Sequence, residues 1–211
     1  MDATYDRLAG RSIERLAGLS DGVFAVAMTL LVLDLRTPVS EAIHSEQALL
    51  QAVWGLGHRV IAYLMSFITL GIFWNGQQAQ MIHFKRSNRH LTWINLAFLF
   101  FVTLLPFSTG LLAEFVTYRS ALLVYWSNIL LLGVSLYVSW FYARCAGLLR
   151  EDTPPDVDSV IRRRVLIAQS LYAVGAALCL VNTYVSIGVI IAVQLNYAIA
   201  PSFRGRRTGA R

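Results

Sequence analysis

Charge is scarce in this chain: 14% of its 211 residues are Asp, Glu, Lys or Arg, against about 25% in an ordinary soluble domain. Hydrophobic residues make up 56% and mean hydropathy is +0.56, so both deviations argue against a soluble globular protein. Cysteine is almost missing. Cys145 and Cys179 each stand alone in an apolar stretch, which leaves no disulfide framework and no CxxC-spaced zinc site. Catalytic spacings are missing as well. The chain has no HExxH, no GxSxG, no Walker loop and no GxGxxG leading into a helix, and so lacks what a metalloprotease, an intramembrane hydrolase or a nucleotide-driven pump needs. An enzyme is not expected, nor a resident metal or cofactor. The histidines His44, His58, His83 and His90 fall in loops or at the ends of apolar runs. His83 and His90 flank a basic turn, where titration near neutral pH and plain solvation explain them equally well. A cleavable leader is not expected either, because MDATYDRLAGRSIERLAG is polar and of mixed charge rather than a short basic segment feeding a cleavage site.

What the chain does have is long apolar runs. A bilayer core of about 30 Å takes roughly 20 residues of helix, and six stretches approach that length: 19–35, 52–74, 91–113, 121–143, 165–181 and 184–200. The reading is an all-α integral membrane protein, one domain over 1–211 with six transmembrane helices. Only Asn182 and Thr183 separate the last two runs, which predicts a tight helical hairpin. Residues 148–164, LLREDTPPDVDSVIRRR, are the one stretch of soluble character. Pro154 and Pro155 stop a helix there, so a linker is expected, with Asp156 and Asp158 suited to the first turn of the helix that follows. Residues 201–211 form a basic tail.

The basic residues sort to one side of these runs. Fifteen of the 18 fall before the first run (Arg7, Arg11, Arg15), between the second and third (Lys85, Arg86, Arg89), between the fourth and fifth (Arg144, Arg150, Arg162, Arg163, Arg164), or after the last. Basic residues in short loops stay cytoplasmic, so both termini are expected there, in a cell membrane crossed several times. The same clusters suit anionic lipid headgroups and account for the net charge of +6 without a nucleic-acid partner.

One run carries polar residues at its start: RLAGLSDGVFAVAMTLLVLDL, residues 15–35. A charge in hydrocarbon costs about 2.5–3.5 kcal/mol on insertion scales, so Asp21 needs a partner or water. Arg15 lies six residues earlier, off the i, i+4 ridge, and a bridge through Ser20 or a neighbouring helix is one reading. The other is an interfacial helix start, with Ser20 or Asp21 as cap and Arg15 snorkelling to headgroups. Val26, Thr29, Leu30 and Leu33 share a helix face. By spacing alone that face is a packing or lipid-facing stripe, with the Thr29 hydroxyl turned to a carbonyl one turn back. Asn95, Pro106 and Asn128, inside later runs, read as packing or kink devices.

RLAGLSDG running into VFAVAMTLLVLDL resembles the signature of the transmembrane protein 175 family of potassium channels, whose first helix begins with Arg, three residues, then Phe-Ser-Asp. LGIFWNG at the end of the second run and LTWINLAFLFFVTLLPFSTGLL in the third resemble the family in the same order. Two positions depart from the pattern: Leu19 stands where the family has Phe, and Gln77-Gln78 stand near where many relatives carry histidines. The resemblance implies a potassium-permeable cation channel, pore-lined by the first helix of each subunit of a homotetramer. It implies that Val26, Leu30 and Leu33 form a hydrophobic constriction and that Thr29 takes part in ion preference. Potassium is then the permeating ion, and no TVGYG-like loop replaces its hydration shell. Arg15, Ser20 and Asp21 would tie the inner end of the first helix to the next two, with Trp74, Asn75 and Asn95 as partners. Asp34, at the outer end, is either a carboxylate at the outer mouth or a partner for Arg36. Two alternatives stay open: a secondary transporter, although no inverted repeat with matched broken helices is seen, and a proton-permeable or weakly selective pore. The single-repeat form implies a bacterial inner membrane.

Overall fold

The computed structural model describes residues 13–38 and 43–199, and these are helical apart from loops and one isolated bridge. Helix α1 is Ile13–Leu30, tightening into a 3-10 turn over Leu31–Asp34; α2 is Glu46–Gly55, α3 Gly57–Met81, α4 Arg89–Glu114 and α5 Arg119–Cys145. Helix α6 is Asp156–Ala177, with a 3-10 turn at Leu178–Leu180, and α7 is Thr183–Ile199. Five of these, α1, α3, α4, α5 and α6, are long and apolar enough to cross a membrane. The described part of the sixth expected span, α7, has 17 residues, about 25 Å of helix at 1.5 Å per residue, at the low end of the length that crosses a hydrocarbon core.

Two boundaries also move. Residues 52–55 belong to α2, and the spanning helix begins at Gly57 and continues past residue 74 to Met81. Hydropathy stops too early because the last turns of α3 carry Gln77 and Gln80, each only 2% exposed, held in the bundle by hydrogen bonds rather than by apolarity. The linker expected over 148–164 shortens at its far end, since α6 starts at Asp156 directly after Pro155, a position from which proline can lead into a helix without losing a bond. Asp156 and Asp158 do lie in its first turn. Arg7, Arg11 and the tail 201–211 lie outside the described residues.

The expected hairpin forms from α6 and α7. Asn182 caps α7, its side-chain oxygen accepting from Tyr184 N (2.8 Å) and Val185 N (3.3 Å). The Ser186 hydroxyl donates to the Gly175 carbonyl at 2.6 Å. At Gly175 a Cβ would come within 3.1 Å of Ile190, so the small residue is what lets the two helices close on each other.

One end of the bundle gathers the basic loops. Helix α5 finishes on Gly147, whose φ of +64° lets Leu148 N reach back to Ala143 O (2.9 Å) in a Schellman turn. The loop after α3 pairs with this segment: Lys85 N donates to Leu148 O and Arg150 N to His83 O, each 2.8 Å. Lys85 Nζ meets Glu151 Oε1 at 2.6 Å and holds that carboxyl below its usual range. Leu16, near the start of α1, packs here with Met81, Phe84, Leu91, Trp140 and Leu148. At the opposite end Arg59 pairs with Glu114 and donates to the Asp34 carbonyl at 3.4 Å. Among the described residues, the basic loop after α3 and the one after α5 are therefore neighbours in space.

Midway through the bundle, four helices meet at a buried polar knot. Tyr125 of α5 contacts Ser66 (3.3 Å) and Thr69 (3.2 Å) of α3; Thr109 of α4 donates to Ser66 (2.7 Å), and Gln194 of α7 donates to Thr69 (2.7 Å). All five are at most 1% exposed. Removing one hydroxyl from such a knot strands its partners, at about 1–3 kcal/mol. Tyr125→Phe is expected to lower the thermal midpoint of the detergent-solubilised protein by several degrees without changing its helix content, read by circular dichroism.

Candidate functional site

Helix α1 has two unlike faces. Leu16, Ser20, Phe24, Ala27 and Leu31 are buried, a ridge that recurs every three or four residues as a packed helix face must. At about 100° per residue, Gly18, Gly22 and Thr29 fall opposite that ridge, where the two glycines have nothing within 4 Å of a built Cβ. Val26, Leu30 and Leu33 flank this outer face, 56%, 44% and 68% exposed. The Thr29 hydroxyl donates to the Val26 carbonyl at 2.8 Å, as expected of a threonine in an apolar helix.

The inner end of α1 is tied to α3 by side chains. One Asp21 carboxylate oxygen accepts from Trp74 Nε1 and from Gln78 Nε2, both at 2.8 Å, distances typical of charge-assisted bonds. One residue earlier, the buried Ser20 hydroxyl accepts from Gln77 Nε2 at 3.1 Å. Gln77 Nε2 also donates to Asn95 Oδ1 (3.3 Å), and Asn95 Nδ2 reaches Ser139 of α5 (3.4 Å) and its own helix at Leu91 O (2.9 Å). A polar chain thus crosses from α1 through α3 and α4 to α5.

Of the residues singled out from sequence, the fold brings together Ser20, Asp21, Trp74 and Asn95. Arg15 lies on the exposed side at the start of α1, and Asn75 has an exposed side chain beside Asp21 in a groove of about 650 Å³ between α1 and α3. Asp34 is half-buried against α4, where a Cβ on Gly110 would sit 3.0 Å from both its oxygens. Sequence reasoning missed Gln77 and Gln78 as donors and treated them as departures. Their spacing held a signal, since Trp74, Gln77 and Gln78 stand at i, i+3 and i+4 and so share one face of α3. Ser139 was also missed and carries no local signal at all. Among the described residues no group of three or more His, Cys, Asp or Glu side chains is placed to hold a metal ion.

The tie makes a graded expectation. Asp21→Asn keeps a carbonyl oxygen for Trp74 and Gln78, whereas Asp21→Ala leaves both donors unmet at about 1–3 kcal/mol. Thermal denaturation followed by size-exclusion recovery is expected to rank the midpoints wild type, then Asn, then Ala.

Comparison with known proteins agrees on one group. A family model described as the endosomal/lysosomal potassium channel TMEM175 matches residues 15–106. A protein named a potassium channel from Chamaesiphon minutus is 28% identical over 189 residues, 88% of this chain and 93% of that one. Another so named, from Streptomyces collinus, is 29% identical, with 85% and 86% covered. The Gallus gallus protein named endosomal/lysosomal proton channel TMEM175 is 33% identical over 111 residues, which span 49% of this chain and 22% of the relative. The crystal structure of a lysosomal potassium-selective channel TMEM175 homolog from Chamaesiphon minutus matches the fold with a TM-score of 0.78 at 27% identity, over 89% of this chain and 97% of that one. In signature, helix order and fold together, this chain is similar to the TMEM175 proteins, with the family model matching its first half and the bacterial potassium channels matching most of its length.

Proposed function

We propose that this membrane protein is a potassium-permeable cation channel, in which α1 from each subunit of a homotetramer surrounds a common axis. The bacterial relatives named potassium channels support the reading. The observation that carries it is the conflict on α1. Its outer face is apolar and unpacked among the described residues, yet the exposed Asp21 carboxylate stands on the same helix. Acyl chains do not tolerate a carboxylate; a water-filled path bounded by other copies does. Closed rotational symmetry is the way one such helix per chain can enclose a path.

In this arrangement Val26, Leu30 and Leu33 make successive apolar rings, the first two about 6 Å apart along the axis at 1.5 Å per residue and the last about 6 Å further on in the 3-10 turn. A narrow ring of branched aliphatic side chains expels water and raises the energy of an ion within it, so a small splay of the helices opens it. Thr29 adds one hydroxyl per subunit between the first two rings and is the polar group available for ion preference. Gly18 and Gly22 let neighbouring α1 helices approach. Arg15, Ser20 and Asp21 fix the helix tilt through Trp74, Asn95 and the two glutamines, with Asn75 at the groove between α1 and α3. Asp34 adds negative charge toward the outer mouth. The basic loop end faces the cytoplasm of a bacterial inner membrane and its anionic lipids.

Proton permeation is the second reading, favoured by the vertebrate relatives named proton channels. A carrier would instead saturate and show counterflow. In liposomes loaded with potassium, Leu30→Ala is expected to raise flux several-fold over wild type by widening its ring; unchanged flux overturns the constriction. Thr29→Val is expected to move the potassium-to-sodium permeability ratio toward one, measured by reversal potential in planar bilayers.

A further inference from the structure

Away from α1, a cavity of about 350 Å³ descends between α3, α5, α6 and α7 from the loop end of the bundle. It follows α6 from Asp156 down to Tyr172, about 24 Å at 1.5 Å per residue, so it is much longer than wide. Phe73, Leu136, Ile161, Val165 and Ala168 give it an apolar wall. Its size falls at the low end of ligand pockets, which run from about 300 to 1,000 Å³. Such a slot accepts one hydrocarbon chain and excludes a bulky ring system.

The mouth is of different chemistry. The Arg164 guanidinium lies 5.9 Å from the centroid of the Tyr197 ring, and among the described residues no carboxylate pairs with it. Its neighbour Arg162 differs in being bound to Asp158 at 3.6 Å. His83 and Asp156 complete the rim. An arginine that no described carboxylate neutralises, beside a tyrosine at the end of an apolar helix bundle, suits an anionic headgroup. Lower down, Tyr172 is 1% exposed and its hydroxyl has no partner among the described residues, so the slot also offers one buried donor that they leave unsatisfied.

We propose that this slot binds an anionic phospholipid, with its phosphate at Arg164 and Tyr197, one acyl chain between α3 and α6, and the Tyr172 hydroxyl free to donate to an ester oxygen. The inference rests on the membrane placement proposed above but not on conduction, because its readout is binding. The Arg164 guanidinium selects the headgroup, and the narrow apolar shaft selects the chain.

The test uses the full chain in detergent, stripped of lipid and titrated with dioleoyl phosphatidylglycerol, dioleoyl phosphatidylcholine or oleate, with native mass spectrometry counting bound molecules. One phosphatidylglycerol per subunit is expected, bound about fivefold or more tighter than phosphatidylcholine, as one basic residue at a headgroup provides. Arg164→Gln is expected to erase that preference. Ala168→Phe and Ala79→Phe, which fill the slot from α6 and α3, are expected to abolish the bound lipid. Equal binding of the two phospholipids, an unchanged preference in Arg164→Gln, or retained lipid in a folded blocking variant overturns the proposal. Oleate binding as tightly as phosphatidylglycerol overturns the phospholipid assignment in favour of a free fatty acid. If both blocking variants fail to fold, the exposed Arg164→Gln decides alone. Loss of potassium flux with lipid binding intact would count against the channel and leave the slot standing.

Discussion

A carboxylate inside a membrane-spanning helix has to be met by donors or by water, and the way Asp21 is met organises this molecule. Trp74 and Gln78 grip it from α3, and Ser20 beside it is gripped by Gln77. Because those donors sit on one face of one helix, they fix both the depth and the rotation of α1. Rotation is what separates its two faces. With Ser20, Phe24, Ala27 and Leu31 turned inward, Gly22, Val26, Thr29 and Leu33 are left outward, and the proposed pore face follows from where the polar grip falls.

The rest of the bundle is built to keep that grip in place. Gln77 continues to Asn95 and on to Ser139, so α4 and α5 share in positioning the start of α1. Below it, the knot of Ser66, Thr69, Thr109, Tyr125 and Gln194 joins α3, α4, α5 and α7. Helices in lipid gain little from burying carbon against carbon, so packing and interhelical hydrogen bonds carry their association. The Ser20–Gln77–Asn95–Ser139 chain and the knot are nearly dry, which makes each bond there depend on its partner being present. The loop end is fastened separately, by backbone pairing between 83–85 and 148–150, and so does not rely on its exposed ion pairs, which contribute little.

Much of the site was legible because its physics is local. An acidic residue at the start of an apolar run announces a need for partners, and the family resemblance put forward Trp74, Asn75 and Asn95, of which Trp74 and Asn95 join the network. Gln77 and Gln78 were harder, because glutamine in a long apolar helix looks like a span end until a neighbouring helix supplies Ser20 and Asp21. The polar knot was not legible at all. Serine and threonine can bond to their own helix, as Thr69 does to Met65 O and Thr109 to Leu105 O, so nothing in their spacing shows that they also meet each other.

The amino-acid sequence alone determined that this is a helical membrane protein with its basic residues gathered on one side, because apolar length and charge placement act through the solvent and need no partner. It determined the family signature and the face of α1 that carries Val26, Thr29 and Leu33. Only the tertiary structure decided where α3 ends, which donors hold Ser20 and Asp21, and that a slot lies beneath Arg164. Those features depend on groups far apart in the chain meeting within about 3 Å of one another, and helical periodicity contains no information about which helix will lie alongside.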